Sequence, residues 1–492
     1  MDWIAKHALS LTILVPFITC LLILLVPPER KSVIRVMAAV ATSITLLISL
    51  WLCFRFDFAK GGIQFEERLE WVPLAGVSYH LGVDGVSITL VLLTAFIIFT
   101  GVFASWTIEY RTKDFLSLLL FLVTGVFGVF VSIDLFFFFL FYEVAVLPMY
   151  LLIGIWGTGR KEYSAMKLTL YLLLGSAFIL VGMLAVYFLS PTGTFDIPEL
   201  LQTAKFTVEQ QRILFLMFYV GFGILAGIWP LHTWSPDGHA SAPTAVSMLH
   251  AGVLMKLGAF GVLRVGMSLL PEGAQYWAPL MGTIAVINIV YGAFSAMGQT
   301  DLKYVIAYSS VSHMGVVMLG LAGMNAVSLT GSTMQMFAHG IMTGLFFALV
   351  GLVYEKSHTR DILKMGGFAE KMPGIAVAFV VGGLSSFGLP GTSGFVAEFL
   401  TFWGVWKSYP WMTYIGVAGV VITATYVLRV VQKVFLGKRP EGYDDLPDAR
   451  TTEWVALVVL GAILIITGVM PRLLTDFLNV GVHDYLKLLG KV

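Results

Sequence analysis

Long apolar runs, separated by short polar segments, fill almost the whole chain. A transmembrane helix needs roughly 20 predominantly apolar residues to cross the hydrocarbon core of a bilayer. Measured against that length, the pattern predicts about fourteen spans and hence an all-α polytopic membrane protein. We place the spans at about 8–27, 33–54, 84–107, 114–131, 134–156, 164–189, 213–231, 244–268, 277–298, 303–323, 330–353, 373–405, 411–433 and 452–470.

The two ends of the chain need separate interpretation. The run from Leu9 to Val26 follows Lys6 as a signal peptide would, but it lacks a small-x-small cleavage site and leads directly into further spans. We interpret it as the first membrane helix. The tail from Pro471 to Val492 mixes charged residues with Leu and Val, which is typical of an amphipathic segment on the surface.

Composition supports this class and argues against others. Only 12% of the 492 residues are charged and 58% are hydrophobic, whereas a soluble chain has about twice that charged fraction. The net charge of +1 gives no reason to expect a nucleic-acid partner. Cys20 and Cys53 lie alone in apolar runs and fit no metal, iron–sulfur or disulfide spacing. We therefore expect no metal and no cofactor on this chain.

The distribution of Lys and Arg predicts the orientation. If the N-terminus lies outside, 18 of these residues fall on inner loops and 10 on the outer side. The remaining two, Lys256 and Arg264, lie inside spans. Both termini are therefore expected to face outward.

Proline and glycine interrupt two spans. One interruption lies in the stretch from Leu225 to Val265, and the other in the stretch from Ser385 to Phe399. We expect broken helices near 230–243 and 388–394, since backbone breaks at membrane depth occur only where protein or a cavity satisfies the freed groups. Paired broken helices indicate a transporter built from internal repeats, with its site near the midplane.

Five titratable side chains fall near the middle of five different spans. Glu143, for example, lies nine residues after the start of the fifth span, about 13 Å along a helix in a core about 30 Å thick. Burial penalises the charged form of each group, which makes exchange of protons among them feasible. The pattern predicts a proton relay in the membrane plane, formed by Glu143, Lys256, His313, His339 and Glu398.

Each of these residues also has a purely structural interpretation. His313 or His339, taken singly, fits a packing residue whose hydrogen bonds are satisfied at a helix interface. A lone Glu fits a partner of a nearby Ser or backbone group, whereas a buried amine such as Lys256 has few structural uses. His232 and His239, beside the first break, are equally compatible with capping exposed backbone.

Asp84, in HLGVDGVSI, is expected to end a helix.

Several segments resemble a known family. They are PLHTWSPDGHASAPTAV, VLMKLGAFGVLR, AYSSVSHMG, FAHGIMTGLFF and GLPGTSGFVAEF, together with HLGVDGVS and FYEVAVLPMYLLIGIWG. They resemble the antiporter-like subunits of respiratory complex I (NADH–quinone oxidoreductase), and among these the M-type chains. Subunits of Mrp-type sodium/proton antiporters and of membrane-bound hydrogenases are more distant relatives. The resemblance covers the whole chain.

The resemblance implies fourteen transmembrane helices with two inverted five-helix repeats and discontinuous seventh and twelfth helices. We assign the repeats to 114–268 and 277–436 of a single transmembrane domain, 1–492, with N-terminal helices at 1–107 and a last helix and tail at 452–492. The resemblance also implies that the protein lies in a bacterial inner membrane, with both termini on the periplasmic side. The implied partners are membrane lipid and other membrane-arm subunits, some of them antiporter-like, with NADH, FMN, iron–sulfur clusters and quinone on partner subunits.

The family's proton path, carried over, uses the five relay residues named above, and Lys167 resembles a further polar position on the sixth helix. One position departs from the family pattern. A Lys usually stands on the seventh helix, seven residues before the His that matches His232, and here that position is Leu225. A Leu cannot pair with Glu143, so this chain either uses another group or pumps less well or not at all.

His250 is a candidate replacement for the missing Lys. It precedes Lys256 by six residues, which on an α-helix is about 240° around the axis and about 9 Å along it. It is therefore expected to point away from Lys256, toward the seventh helix. The sequence thus favours a proton-translocating subunit of complex I, and leaves open an Mrp-type or hydrogenase-type subunit and a non-pumping structural spacer.

Overall fold

The computed structural model describes residues 6–492, and eighteen helices account for most of that range. The first nine are α1 (Ala8–Leu25), α2 (Lys31–Arg55), α3 (Gly85–Ala104), α4 (Thr112–Val131), α5 (Leu135–Trp156), α6 (Lys161–Leu189), α7 (Ile197–Thr203), α8 (Val208–Ala226) and α9 (Trp234–Ser241). The others are α10 (Thr244–Met267), α11 (Pro271–Gly298), α12 (Leu302–Gly323), α13 (Ala326–Ser357), α14 (Pro373–Ser386), α15 (Ser393–Ser408), α16 (Pro410–Val434), α17 (Thr451–Val469) and α18 (Arg472–Leu488).

The membrane spans follow the sequence pattern. Within residues 6–492, thirteen helices are long and apolar enough to cross a membrane. The shorter helices α14 and α15 together occupy the interrupted span expected at 373–405, which supplies the fourteenth. The prediction of an all-α polytopic membrane protein is confirmed. The division into two inverted repeats stays a prediction.

A β-hairpin lies between α2 and α3, where the sequence suggested no element. Strands β1 (Gln64–Val72) and β2 (Val77–Val83) pair antiparallel. Glu67 on β1 accepts hydrogen bonds from the backbone N–H groups of Leu9 and Ser10, at 2.8 and 3.1 Å. These are donors of the first helical turn that have no partner inside α1. The hairpin therefore holds the beginning of α1.

The first broken helix consists of α8 and α9. Helix α8 ends at Ala226, followed by Gly227 in the left-handed region with a φ of +75°. The chain resumes helical structure at Trp234, so the break covers 227–233 and begins earlier than the predicted 230–243. Glycine ends the helix before the first proline is reached, because it adopts this backbone conformation without steric cost. The second break, at 387–392, falls close to the predicted 388–394.

Helix α10 is buried along its whole length except at its first residue, Thr244, and it is not a regular α-helix. Two π-helical segments, His250–Leu254 and Val262–Met267, flank an α-helical stretch that carries Lys256. Single π-turns are rare and occur frequently at functional sites. Nothing in the apolar periodicity of this stretch distinguishes these segments from α-helix.

Burial places three helices at the centre of the bundle. The apolar windows of α10 and α13 are wholly buried and that of α12 is 94% buried, whereas those of α2, α16 and α17 are one third buried. The outer helices therefore expose apolar side chains where lipid is expected. The central helices carry Lys256, His313 and His339.

The C-terminal helix α18 confirms the amphipathic tail. Its apolar face, which includes Leu474, Leu478 and Val482, is buried against the protein. Gly85 at the start of α3 permits this contact, since a Cβ there would lie 2.0 Å from the backbone oxygen of Phe477.

Asp84 begins a helix, so the expectation that it ends one is wrong. Its side chain accepts hydrogen bonds from the backbone N–H groups of Val86 and Ser87, at 2.9 and 2.8 Å. A short acidic side chain is favoured at this position because it satisfies free donors of the first turn.

Candidate functional site

Lys256 lies near the middle of α10 and has no exposed surface. Its Nζ donates to the carbonyl oxygen of Ala251. Ala251 belongs to the first π-helical segment. The same Nζ lies 2.8 Å from Nδ1 of His339 on α13. The amine is therefore held between a backbone acceptor and a group that can either give or take a proton.

The chain of contacts continues from His339 to Glu398. The imidazole rings of His339 and His313 have centroids 5.3 Å apart. Nδ1 of His313 lies 3.3 Å from Oε1 of Glu398. Its Nε2 lies 3.1 Å from the hydroxyl of Ser386, the last residue of α14. Four of the five predicted relay residues thus form one contiguous chain, Lys256–His339–His313–Glu398.

The second broken helix positions the far end of this chain. Glu398 lies on α15, just beyond the break, and is 5% exposed. Gly388, in the break, has a φ of +68°, and a Cβ there would lie 2.8 Å from the Glu398 carboxylate. Gln335 on α13 adds a further contact that sequence reasoning missed, with its Nε2 3.4 Å from Nδ1 of His313.

Glu143 stands apart from the other four. It lies on α5, where Oε1 is buried without a hydrogen-bond partner in the described part of the chain, and it interacts with Ser176 on α6. Within residues 6–492, no hydrogen bond or ion pair joins Glu143 to the Lys256 chain. Leu225, at the end of α8, is fully buried. The structure thus brings four of the relay residues together and leaves Glu143 separate.

His250 makes its contacts with α9, the second half of the broken seventh span. Its Nδ1 lies 2.9 Å from Nδ1 of His239, and its ring stacks on Trp234 with centroids 5.1 Å apart. This is the side anticipated for a residue pointing away from Lys256. The helix there is π-helical, so the angle of about 240° assumed an incorrect geometry.

Within residues 6–492, neither histidine beside the first break bonds to backbone through its ring, so the capping interpretation is wrong. His239 binds Ser235 on its own helix, with Nε2 3.1 Å from the hydroxyl, in addition to His250. Both ring nitrogens of His232 are buried without a hydrogen-bond partner among the described residues. Its ring packs edge-on against Tyr291, with centroids 5.0 Å apart.

Lys167 has partners that the sequence did not indicate. Its Nζ lies 2.8 Å from one carboxylate oxygen of Asp237, and the hydroxyl of Tyr304 donates to the other at 2.9 Å. Asp237 lies on α9 and Tyr304 on α12. This cluster therefore connects the short half-helix α9 to two full spans.

Lys303 is a further buried lysine, although the sequence pattern placed it on an inner loop. It lies in the first turn of α12, is 4% exposed, and donates to the carbonyl oxygen of Ala242 at 2.6 Å. A cavity of about 390 Å³ borders it and is also lined by Tyr354 and His358. The signal available in the sequence was a Lys two residues after the helix-starting Asp301.

A third buried group joins α3, α10 and α18. Nη2 of Arg264 lies 2.9 Å from Oδ2 of Asp84, and the hydroxyl of Tyr485 donates to the same oxygen at 2.8 Å. Arg264 belongs to the second π-helical segment. We call these three residues the Asp84 cluster.

These features define a class of protein, the polytopic membrane proteins with a polar axis inside the bundle. The features are the two broken helices, the buried π-helical segments and the line of contacting titratable groups. The comparisons with known proteins give the family. Residues 132–423 match the model of the NADH:quinone oxidoreductase/Mrp antiporter transmembrane family. The chain belongs to this family.

Individual relatives extend the match to nearly the whole chain. Subunit M of NADH-quinone oxidoreductase from Rhodobacter capsulatus is 39% identical over 90% of this chain and 88% of its own length. A chain of respiratory complex I from Thermus thermophilus, solved with bound NADH, is 30% identical with a TM-score of 0.91, covering 98% of this chain and all of that one.

The Mrp complex from a Dietzia species shares the fold, with a TM-score of 0.85 at 20% identity over 98% and 99% of the two chains. The matches to subunit M and to the chain of complex I confirm the resemblance to antiporter-like subunits of complex I.

Proposed function

We propose that this chain is a proton-translocating subunit in the membrane arm of an NADH–quinone oxidoreductase. The observation that carries the proposal is the contiguous chain Lys256–His339–His313–Glu398. Its three links join α10 to α13, α13 to α12 and α12 to α15. A structural role for any one of these residues would not require the other three to line up with it.

The geometry suggests how a proton passes along the chain. Lys256 and His339 share one hydrogen bond, in which one nitrogen must donate and the other accept. Movement of a proton across it moves one positive charge between two buried sites, without placing a second charge in the bundle. No hydrogen bond joins His339 to His313 within residues 6–492, so in this proposal a bridging water carries the proton between their rings, whose centroids lie 5.3 Å apart. His313 then passes a proton to the Glu398 carboxylate, 3.3 Å away. Because isolated buried charges are costly, this sharing of a single charge favours stepwise transfer.

Glu143 takes the role of a separate control group in this proposal. A change in its charge state, driven from a neighbouring subunit, biases the charge on the Lys256 chain through the intervening protein. Since Leu225 cannot carry charge, we assign the role of the missing amine to His250, which contacts His239 on the broken seventh span. Lys167, His232 and their neighbours on α9 are proposed as auxiliary polar groups of the same path.

The proposal includes the setting. Other membrane-arm subunits and lipid surround the chain, and both termini face the periplasm of a bacterial inner membrane. In this proposal, electron transfer from NADH to quinone, with FMN and iron–sulfur clusters, takes place on partner subunits. This chain supplies the proton path alone.

The test is the proton yield per electron pair of the purified complex in closed vesicles. Lys256→Ala is compared with Lys407→Ala, an exposed lysine at the end of α15. We expect the first variant to lower the yield while electron transfer continues, and the second to leave it unchanged. An unchanged yield in Lys256→Ala, with the subunit assembled, would overturn the proposal.

The second candidate function is a non-pumping structural spacer, which the uncharged Leu225 favours. A spacer predicts that Lys256→Ala leaves the proton yield unchanged. An Mrp-type antiporter is the third, favoured by the shared fold. Sodium-dependent proton flux in vesicles without NADH would support the antiporter, and its absence would argue against it.

A further inference from the structure

A groove of about 480 Å³ lies on the outside of the bundle between α1, α4 and α5. Its walls are largely apolar and include Leu21 and Leu24 from α1, Phe121 from α4 and Leu151 from α5. Leu21 and Leu24 are 47% and 46% exposed. The volume lies within the range of about 300–1,000 Å³ typical of sites for small ligands.

One end of the groove carries polar groups. Arg111, between α3 and α4, adopts a φ of +49°, which is uncommon for a residue other than glycine. Its guanidinium is about half exposed, bonds Asp114 through Nε at 2.7 Å and lies 6.0 Å from the ring of Trp156. The indole N–H of Trp156 donates to the carbonyl oxygen of Tyr110 at 2.8 Å. A Trp between apolar and polar surroundings is typical of the bilayer interface.

The surrounding loops are basic. Residues 26–35, 105–114 and 157–162 contain seven Lys or Arg and four Asp or Glu. Glu109 stays charged, because hydrogen bonds from Lys31 and Arg35 lower its pKa to about 2, and it offsets part of the positive charge. The balance of the three segments remains positive. A positive surface at the end of an apolar groove attracts an anionic lipid headgroup.

We propose that this groove binds an anionic phospholipid, with one acyl chain along α1 and α4 and the headgroup phosphate on Arg111. Guanidinium donors bind phosphate with charge-assisted hydrogen bonds of defined geometry, which a zwitterionic headgroup weakens by presenting its own cation. The site is independent of the proposed proton path, because no relay residue lines the groove. Its ligand is part of the bilayer rather than a soluble metabolite.

The experiment uses the intact purified complex, reconstituted with phosphatidylglycerol that bears a photoreactive group on its acyl chain. After illumination, the labelled peptides are mapped by mass spectrometry. We expect labelling of 17–24 and 118–121, and loss of most of it in Leu21→Trp, which fills the groove. Ile18→Trp is the matched control, since Ile18 is equally exposed on α1 but does not line the groove, and it should leave labelling unchanged.

A second measurement tests the headgroup. Competition by unlabelled phosphatidylglycerol should exceed that by phosphatidylcholine about tenfold, the effect of one hydrogen-bonded charge contact. Arg111→Gln should remove this preference while acyl labelling persists. Equal labelling around the whole of α1, or no effect of Leu21→Trp, would show ordinary contact with bulk lipid. Absence of label from the groove would show that another subunit covers it, and equal competition by both lipids would refute the role of Arg111.

Discussion

The Asp84 cluster predicts how firmly α18 is held to the bundle. The side chains of Asp84 and Arg264 are 7% and 5% exposed, and Tyr485 supplies the one hydrogen bond from α18 to this pair. Tyr485→Phe removes that bond and keeps the ring. Loss of a hydrogen bond to a charged group costs about 1.5–3 kcal/mol. A cavity of about 290 Å³ borders the cluster. Water there can replace part of the bond, so we expect the lower limit, about 1.5 kcal/mol.

Thiol labelling measures this effect directly. Leu478→Cys, at a position without exposed surface on α18, introduces a thiol that reacts only when the helix detaches. A cost of about 1.5 kcal/mol should raise the labelling rate of that peptide about tenfold in Tyr485→Phe. Asp476→Asn, on the exposed side of α18, is the control and should leave the rate unchanged. An unchanged rate in Tyr485→Phe would refute the reasoning.

Further variants address the polar axis and its packing. Glu143→Gln should abolish most proton pumping while the complex still assembles, and full proton yield would contradict its role. His250→Leu should lower proton yield if His250 replaces the missing amine, whereas an unchanged yield would remove it from the path. Leu225→Lys should restore pumping in the His250→Leu background, measured as proton yield, and failure to assemble would mean that packing has diverged. Gly258→Ala should destabilise the complex by about 1–3 kcal/mol in thermal unfolding, because its Cβ would lie 2.4 Å from the backbone oxygen of Phe222 on α8; an unchanged melting temperature would show that α8 and α10 can separate at little cost.

The sequence predicted the spans well because hydrocarbon thickness imposes a length on each helix. The same constraint located Lys256, His313 and His339 near mid-helix, where they contact one another. The cost of burying ionisable groups made these residues conspicuous against an apolar background. The sequence therefore predicted that these residues group together, without knowledge of which helices pack against each other.

Other features depend on packing that no local pattern records. The π-helical segments of α10 have the same apolar composition as α-helix, and the partners of Arg264 and Lys303 come from distant parts of the chain. The hairpin was missed because both strands are much shorter than a membrane span and β1 is largely polar. The sequence placed Asp84 at the end of a helix, whereas it begins one. The local pattern did not show that Val86 and Ser87 belong to the helix that follows Asp84.

The line from Lys256 to Glu398 crosses the bundle sideways, through residues near the middle of their helices. An electric potential across a membrane does work, about 2.3 kcal/mol per elementary charge per 100 mV, only on displacement along the membrane normal. If the proposed function holds, proton steps along this line are therefore expected to be nearly insensitive to voltage. The opposing potential of an energised membrane acts instead on uptake and release, so the rates of those two steps, and not of lateral transfer, should slow as the membrane becomes charged.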